Sequence, residues 1–154
     1  MTELIRKLAL EGDLEDCEYI ALLEDESHEA ELFESALNIK KRYYGDDIYI
    51  RGLIEISSFC RNDCFYCGIR RSNGKAERYR LSRDEILECC DRGYENGFRT
   101  FVLQGGEDLF FTDKLICDIV YTIKERHDDC AVTLSLGEKP KESYKAYFDA
   151  GADR

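Results

Sequence analysis

Three cysteines fall within eight positions of the segment SSFCRNDCFYCGIRRSN, residues 57–73: Cys60, Cys64 and Cys67, spaced C-x3-C-x2-C. Close thiolates in a reducing compartment usually hold a soft metal. Structural zinc asks for four ligands, commonly two C-x2-C-like pairs. Only Cys64 and Cys67 form such a pair, and His28 and His127 lie far away in sequence. The C-x2-C-x2-C-x3-C-P run of a dicluster ferredoxin is absent. A cubane iron–sulfur cluster with three irons on protein sulfur and one iron open fits three thiols with no fourth beside them. Spacing alone leaves that cluster, zinc, and redox or core cysteines as alternatives. Of the other thiols, Cys17, Cys89, Cys90 and Cys117 read as core residues, and Cys130 begins a strand.

A second group with chemical potential is Gln104-Gly105-Gly106-Glu107. Glycines at the end of a strand let a ligand approach bare backbone, and their carbonyls accept hydrogen bonds from an ammonium group. The plainer alternative is a tight strand-to-helix turn.

The elements that position these groups alternate. Residues 1–44 read as helical, with Leu32, Phe33, Ala36, Leu37, Lys40 and Tyr44 near one face and Gly45 as the stop. Residues 48–57 read as a strand. Ser82 and Glu85 form a capping box, with Leu81 and Ile86 as its staple, for a helix to about Glu95 and Gly97 beyond it. Residues 99–104 read as the second strand. Thr112 caps a helix whose buried stripe is Leu115, Ile116, Ile119, Val120 and Ile123. Residues 130–136 read as the third strand. Pro140 opens a last helix with Tyr144, Tyr147 and Phe148 on its apolar side.

Strand–helix repeated three times is the pattern of a parallel α/β fold. The cysteine segment is an insertion after the first strand, at the loop end where α/β proteins place their chemistry. In 130–136, Val132, Leu134 and Leu136 share one face, while Thr133 and Ser135 share the other. In a barrel the apolar face meets the helices and the polar face points inward. Glu55, between Ile54 and Ile56, is an inward carboxylate for a substrate or for another charge in the barrel. A (β/α)8 barrel takes about 250 residues. The expectation is therefore a partial TIM-type (β/α) barrel of about three βα units, with a helical extension at 1–47 and the first part of the barrel at 48–154. A small open sheet is the alternative.

Bulk properties narrow the partners. The 154 residues are 44% apolar and carry a net charge of −11. Residues 1–47 hold 14 acidic and 5 basic groups, and residues 84–154 hold 16 and 9. Residues 51–83 reverse the sign, with 3 acidic and 8 basic groups. The acidic excess disfavours nucleic acid. No apolar run reaches the ~20 residues of a membrane span, and the first residues lack a signal-peptide pattern. The expected compartment is the cytoplasm.

Taken together, these residues resemble the radical S-adenosylmethionine superfamily. Its C-x3-C-x-aromatic-C motif is matched by Cys60, Cys64, Tyr66 and Cys67, and its glycine-rich motif by Gly105, Gly106 and Glu107. The strings RGLIEISSFCRNDCFYCGIRRSN, RYRLS, FVLQGGED, VTLSLGE and FDAGADR are similar to the iron-only hydrogenase maturation subgroup called the E maturases, relatives of biotin synthase and methylornithine synthase. The resemblance implies a 4Fe-4S cluster on Cys60, Cys64 and Cys67, with S-adenosylmethionine on its open iron. It implies Tyr66 near the adenine, and Gln104, Gly105, Gly106 and Glu107 at the ammonium end. It places Thr133 and Ser135 toward cosubstrate or substrate. The implied activity is reductive cleavage to a 5′-deoxyadenosyl radical, in assembly of the hydrogenase di-iron centre. The implied partners are an external one-electron donor of ferredoxin or flavodoxin type, a small-molecule or organometallic substrate, and other maturation proteins. A methylornithine synthase-like mutase and a non-enzymatic iron–sulfur or zinc module are the alternatives. The family barrel continues for several strands past GADR, so the chain is expected to be an N-terminal piece.

Overall fold

Helix signals in the first 44 residues are realised as α1 (Thr2–Glu11), α2 (Asp16–Glu24), a 3-10 turn (Glu26–His28) and α3 (Glu29–Tyr44). The computed structural model describes residues 2–154. The chain divides into two compact units, one ending at Tyr49 and the other running Ile50–Arg154. In the first, Ile5, Leu14 and Leu22 are buried, with Leu8, Tyr19 and Leu32 packed on them. Lys7 and Glu18 pair at 2.6 Å across α1 and α2. This cluster is too small to cover α3, which buries no residue. Phe33, Leu37 and Tyr44, the row expected along one face, are at least half exposed. Cys17 is exposed as well, so it is not a core residue.

The second unit is built on three parallel strands in the order β1 (Gly52–Ser57), β2 (Thr100–Gly105), β3 (Ala131–Ser135). They alternate with α4 (Arg83–Glu95), α5 (Asp113–Arg126) and α6 (Lys141–Asp149). β1 begins at Gly52 rather than residue 48, because Ile48, Tyr49 and Ile50 have no strand to pair with and remain exposed. The period-2 alternation divides the sheet cleanly. Ile54, Ile56, Phe101, Leu103 and Val132 are buried with Ile86, Leu87, Ile116, Ile119, Val120 and Ile123 of α4 and α5. Each such side chain stabilises the fold by roughly 1.5–3 kcal/mol. The other face bears Leu53, Glu55, Val102, Gln104, Thr133 and Ser135. Register places Glu55, Gln104 and Ser135 in one row, with Leu53, Val102 and Thr133 in the next. Between Glu55 and Ser57 the register shifts, so that Ile56 and Ser57 together oppose Gly105. Ile56 and Ser57 are both buried.

The helix ends follow their local chemistry. Ser82 accepts from the Glu85 amide while the Glu85 carboxylate accepts from the Ser82 amide, closing the capping box of α4. Thr112 accepts from the Leu115 amide at the start of α5. Two expectations are corrected. Cys89 lies on the exposed side of α4, and only its neighbour Cys90 is buried. On α6 only Tyr147 is buried among the three aromatics, while Tyr144 and Phe148 stand in solvent, because a single row of that nine-residue helix reaches α5. Asp113 of α5 accepts from Ser143 and Tyr147 and fixes that contact. After α6 the chain returns to the outer edge of β3, where the Leu134 amide donates to the Arg154 carbonyl and the Asp153 amide to Val132. None of the described helices is long and apolar enough to cross a membrane.

Candidate functional site

The sequence between β1 and α4, residues 58–82, has no regular structure except one bridge, Ser57 with Arg80. It holds its shape by closing on itself. Leu81 donates to the Ile56 carbonyl and Ser58 to Tyr79, so the returning limb runs along the departing one. The Ser58 hydroxyl donates to Glu77 and accepts from the Tyr79 amide. Inside the loop the Cys67 amide donates to the Cys64 carbonyl at 3.0 Å, and Arg71 to Asn62 at 2.8 Å.

The turn after β2 locks onto this loop. The Glu107 carboxylate accepts from Arg61 Nε at 2.9 Å and Nη2 at 2.8 Å, and from Asn62 Nδ2 at 2.7 Å. The Arg61 amide donates to the Glu107 carbonyl. The Arg61 bond, aided by the Glu138 amide and by Asn62, outweighs burial and holds the Glu107 carboxyl below its ordinary pKa. Next to it, Asp108 accepts from Arg80 through two bonds of 2.6 and 3.0 Å and from the Ser57 hydroxyl at 2.6 Å. Burial pushes the Asp108 carboxyl up, but Arg80, Ser57 and the Phe110 amide pull it further down, leaving it below the ordinary range. The Arg80 guanidinium also lies 4.0 Å from the Phe59 ring centroid.

Close approach explains one glycine. A Cβ on Gly106 would stand 2.2 Å from the Phe59 carbonyl oxygen and 2.7 Å from Cys60 Cβ. The bare backbone of Gly106 therefore runs directly against the first cysteine. Cys67, Gly105, Gly106, Gln104, Ser135 and Glu55 share one cavity of about 540 Å³.

Of the expected site residues, this cavity gathers Cys67, Gln104, Gly105, Gly106 and Ser135. Cys60 is half-buried and Cys64 exposed. Tyr66 is 94% exposed and lies outside the cavity lining. Glu107 is engaged by Arg61 and Asn62. Thr133 sits one row from Ser135, and its hydroxyl is buried without a hydrogen-bond partner. Among the described residues, no three His, Cys, Asp or Glu side chains converge as a metal site. The donor set still suits a three-thiolate group: three free thiols on one loop, at the strand end where the glycine backbone abuts Cys60. Sequence reasoning did not single out Arg61, Asn62, Arg78, Arg80 or Asp108. The R-x-R spacing of Arg78 and Arg80, which puts two guanidinium groups on one side of an extended segment, was the available signal.

The chain is similar to known proteins over most of its length. No protein-family model matches the chain. It is 44% identical over 132 residues to the [FeFe] hydrogenase maturase subunit HydE of Thermotoga maritima, covering 86% of this chain and 37% of that protein. The crystal structure of methylornithine synthase (PylB) superposes with a TM-score of 0.81 at 27% identity, over 97% of this chain and 45% of the other. That of HydG, a maturase of the [FeFe]-hydrogenase, gives 0.82 at 29% identity, over 97% and 35%. The chain thus spans less than half the length of each.

Proposed function

We infer, because this chain belongs to the radical S-adenosylmethionine superfamily, that the protein carries a 4Fe-4S cluster and cleaves S-adenosylmethionine reductively. Cys60, Cys64 and Cys67 are the thiolate ligands in this reading. When bound, the cluster supplies the electron that the sulfonium of the cosubstrate accepts. The chain's own residues bind and orient. Gly105 and Gly106 offer backbone carbonyls to an ammonium group without a side chain in the way. Gln104 and Ser135 add an amide and a hydroxyl on the same cavity wall. The unpartnered Thr133 hydroxyl is a further group awaiting a hydrogen bond. Tyr66 packs against the adenine once the site is filled. Glu107 contributes through the loop it fixes, because Arg61 and Asn62 occupy its carboxylate. The observation that carries the reading is the shared cavity, which brings Cys67 and the glycine pair together from opposite ends of a 38-residue separation.

The identity to a hydrogenase maturase subunit supports a role in assembling the hydrogenase di-iron centre. The substrate is then a small organometallic species, the electron donor a ferredoxin or flavodoxin, and the other maturation proteins are partners in a reducing cytoplasm. A mutase of the methylornithine synthase type is the second reading, favoured by the backbone likeness to that enzyme. The test is anaerobic: the full-length gene product, reconstituted with iron and sulfide and reduced, is given S-adenosylmethionine. Formation of 5′-deoxyadenosine is expected, and its absence from cluster-loaded protein rules the enzyme out.

A further inference from the structure

We propose that Arg78 is the positioning residue of the cysteine loop, pre-forming it before any metal arrives. This deepens the reading above and rests on it for the identity of the metal group. One guanidinium collects four backbone carbonyls. Nη1 donates to Ser58 and to Ile69, the latter at 2.8 Å. Nη2 donates to Arg70 at 2.7 Å and Asn73 at 3.3 Å. Ser58 lies two residues before Cys60, and Ile69 and Arg70 lie two and three residues after Cys67. The same side chain therefore ties the limb leading into the thiols to the limb leading out.

The requirement is physical. Residues 58–82 form a 25-residue loop without helix or strand, far longer than loops that hold themselves together by length alone. Every ordered residue in it opposes a conformational entropy of roughly 1–2 kcal/mol. The three thiols do not converge in the metal-free chain, so what the guanidinium pre-forms is the backbone frame from which they turn toward a cluster. The guanidinium suits this role because its planar fork presents donors along two edges to acceptors on two limbs. A lysine ammonium keeps the charge but has three donors on one atom, and cannot span both limbs. The four bonds are part-buried, where charged donors to carbonyls are stronger than at the surface. All four of these Arg78 bonds end on backbone carbonyls, so its effect runs through the backbone.

The test compares wild type with Arg78→Lys and Arg78→Gln, first without metal. Hydrogen exchange is read at the Cys67, Arg71 and Ser72 amides, which are all bonded within the loop. Exchange about tenfold faster in both variants is expected, while amides of β1–β3 keep their protection. Unchanged loop exchange overturns the proposal. Loss of protection in sheet and loop alike also overturns it, since Arg78 would then serve general stability. Each protein is next reconstituted with iron and sulfide, and iron per folded chain and the spectrum of the reduced cluster are measured. Wild type loading fully while Arg78→Lys loads several-fold less supports the proposal, and equal loading overturns it. Wild type that takes up no cluster counts against the proposed function, and exchange alone then decides the role of Arg78.

Discussion

Arg80 and Asp108 meet through two parallel N–H···O bonds of 2.6 and 3.0 Å, joining the returning limb of the cysteine loop to the turn after β2. The Asp108 side chain is only 5% exposed and also accepts from Ser57, the last residue of β1. The pair thus fastens three segments at the strand ends. Its folded-state carboxyl pKa is depressed, so it stabilises the fold fully above the ordinary aspartate value near ~3.9 and loses that contribution as pH falls through the lower folded value. Asp108→Asn is expected to cost about 1–3 kcal/mol at neutral pH, since a buried charge-assisted network is broken while Arg80 stays partly solvated. Denaturant unfolding at several pH values checks this. The gap between wild type and variant should narrow on acidification, and a constant gap would contradict the assignment.

The two adjacent glycines should respond differently. A side chain on Gly105 first meets Ile56 and Ser57 at 3.4 Å, ordinary contact that a small shift absorbs. On Gly106 it meets the Phe59 carbonyl at 2.2 Å, and the backbone beside Cys60 must move. Gly105→Ser should therefore leave stability within about 0.5 kcal/mol of wild type. Gly106→Ala should cost about 1–3 kcal/mol and lower the iron retained after reconstitution. Thermal unfolding and iron analysis of the two variants make the comparison.

Thiol chemistry separates the ligand candidates from the core. Cys64 is exposed, so Cys64→Ala should change unfolding free energy by less than about 0.5 kcal/mol yet abolish an intact cluster. Burial pushes the Cys90 thiol up to about 12 and raises that of Cys130, so both are inert when folded. Alkylation followed by mass spectrometry should label Cys64 in the native metal-free chain and leave Cys90 and Cys130 unlabelled until denaturant is added. Early labelling of Cys90 would place it outside the core.

Asp113 joins α5 to α6 by accepting from both Ser143 and Tyr147. Burial, then the bond to Asp113, raises the Tyr147 phenol well above its ordinary value. Tyr147→Phe keeps the ring in the core and removes one donor. A loss of about 1–1.5 kcal/mol is expected, read from the unfolding midpoint. No loss would mean that the aspartate finds water as readily as the phenol.

What the sequence made legible was local. Ser82 with Glu85, Thr112 and Gly97 are read within one helical turn, and each sits where its chemistry puts it. The alternation in 130–136 foretold which side of β3 meets the helices, because Val132 and Thr133 differ in what their burial costs. The remainder depended on partners distant in sequence. Glu107 has the type and position of a ligand-facing carboxylate, yet Arg61 and Asn62, some 45 residues earlier, occupy it. Cys17 and Cys89 resemble core thiols by type, but only packing decides which side of a helix is covered. Ile48 to Ile50 have strand composition and no neighbouring strand to use it.

The irregularity at the tip of β1 has a geometric corollary. Because Ile56 and Ser57 share a single partner, the phase of the chain slips by one before the thiol-bearing segment departs. That slip decides which face of the β-layer Ser57 presents, and so lets its hydroxyl reach Asp108. Excising Ile56 would restore even pairing and turn Ser57 away from Asp108, so that the strand hands over to the thiol-bearing segment without that anchor.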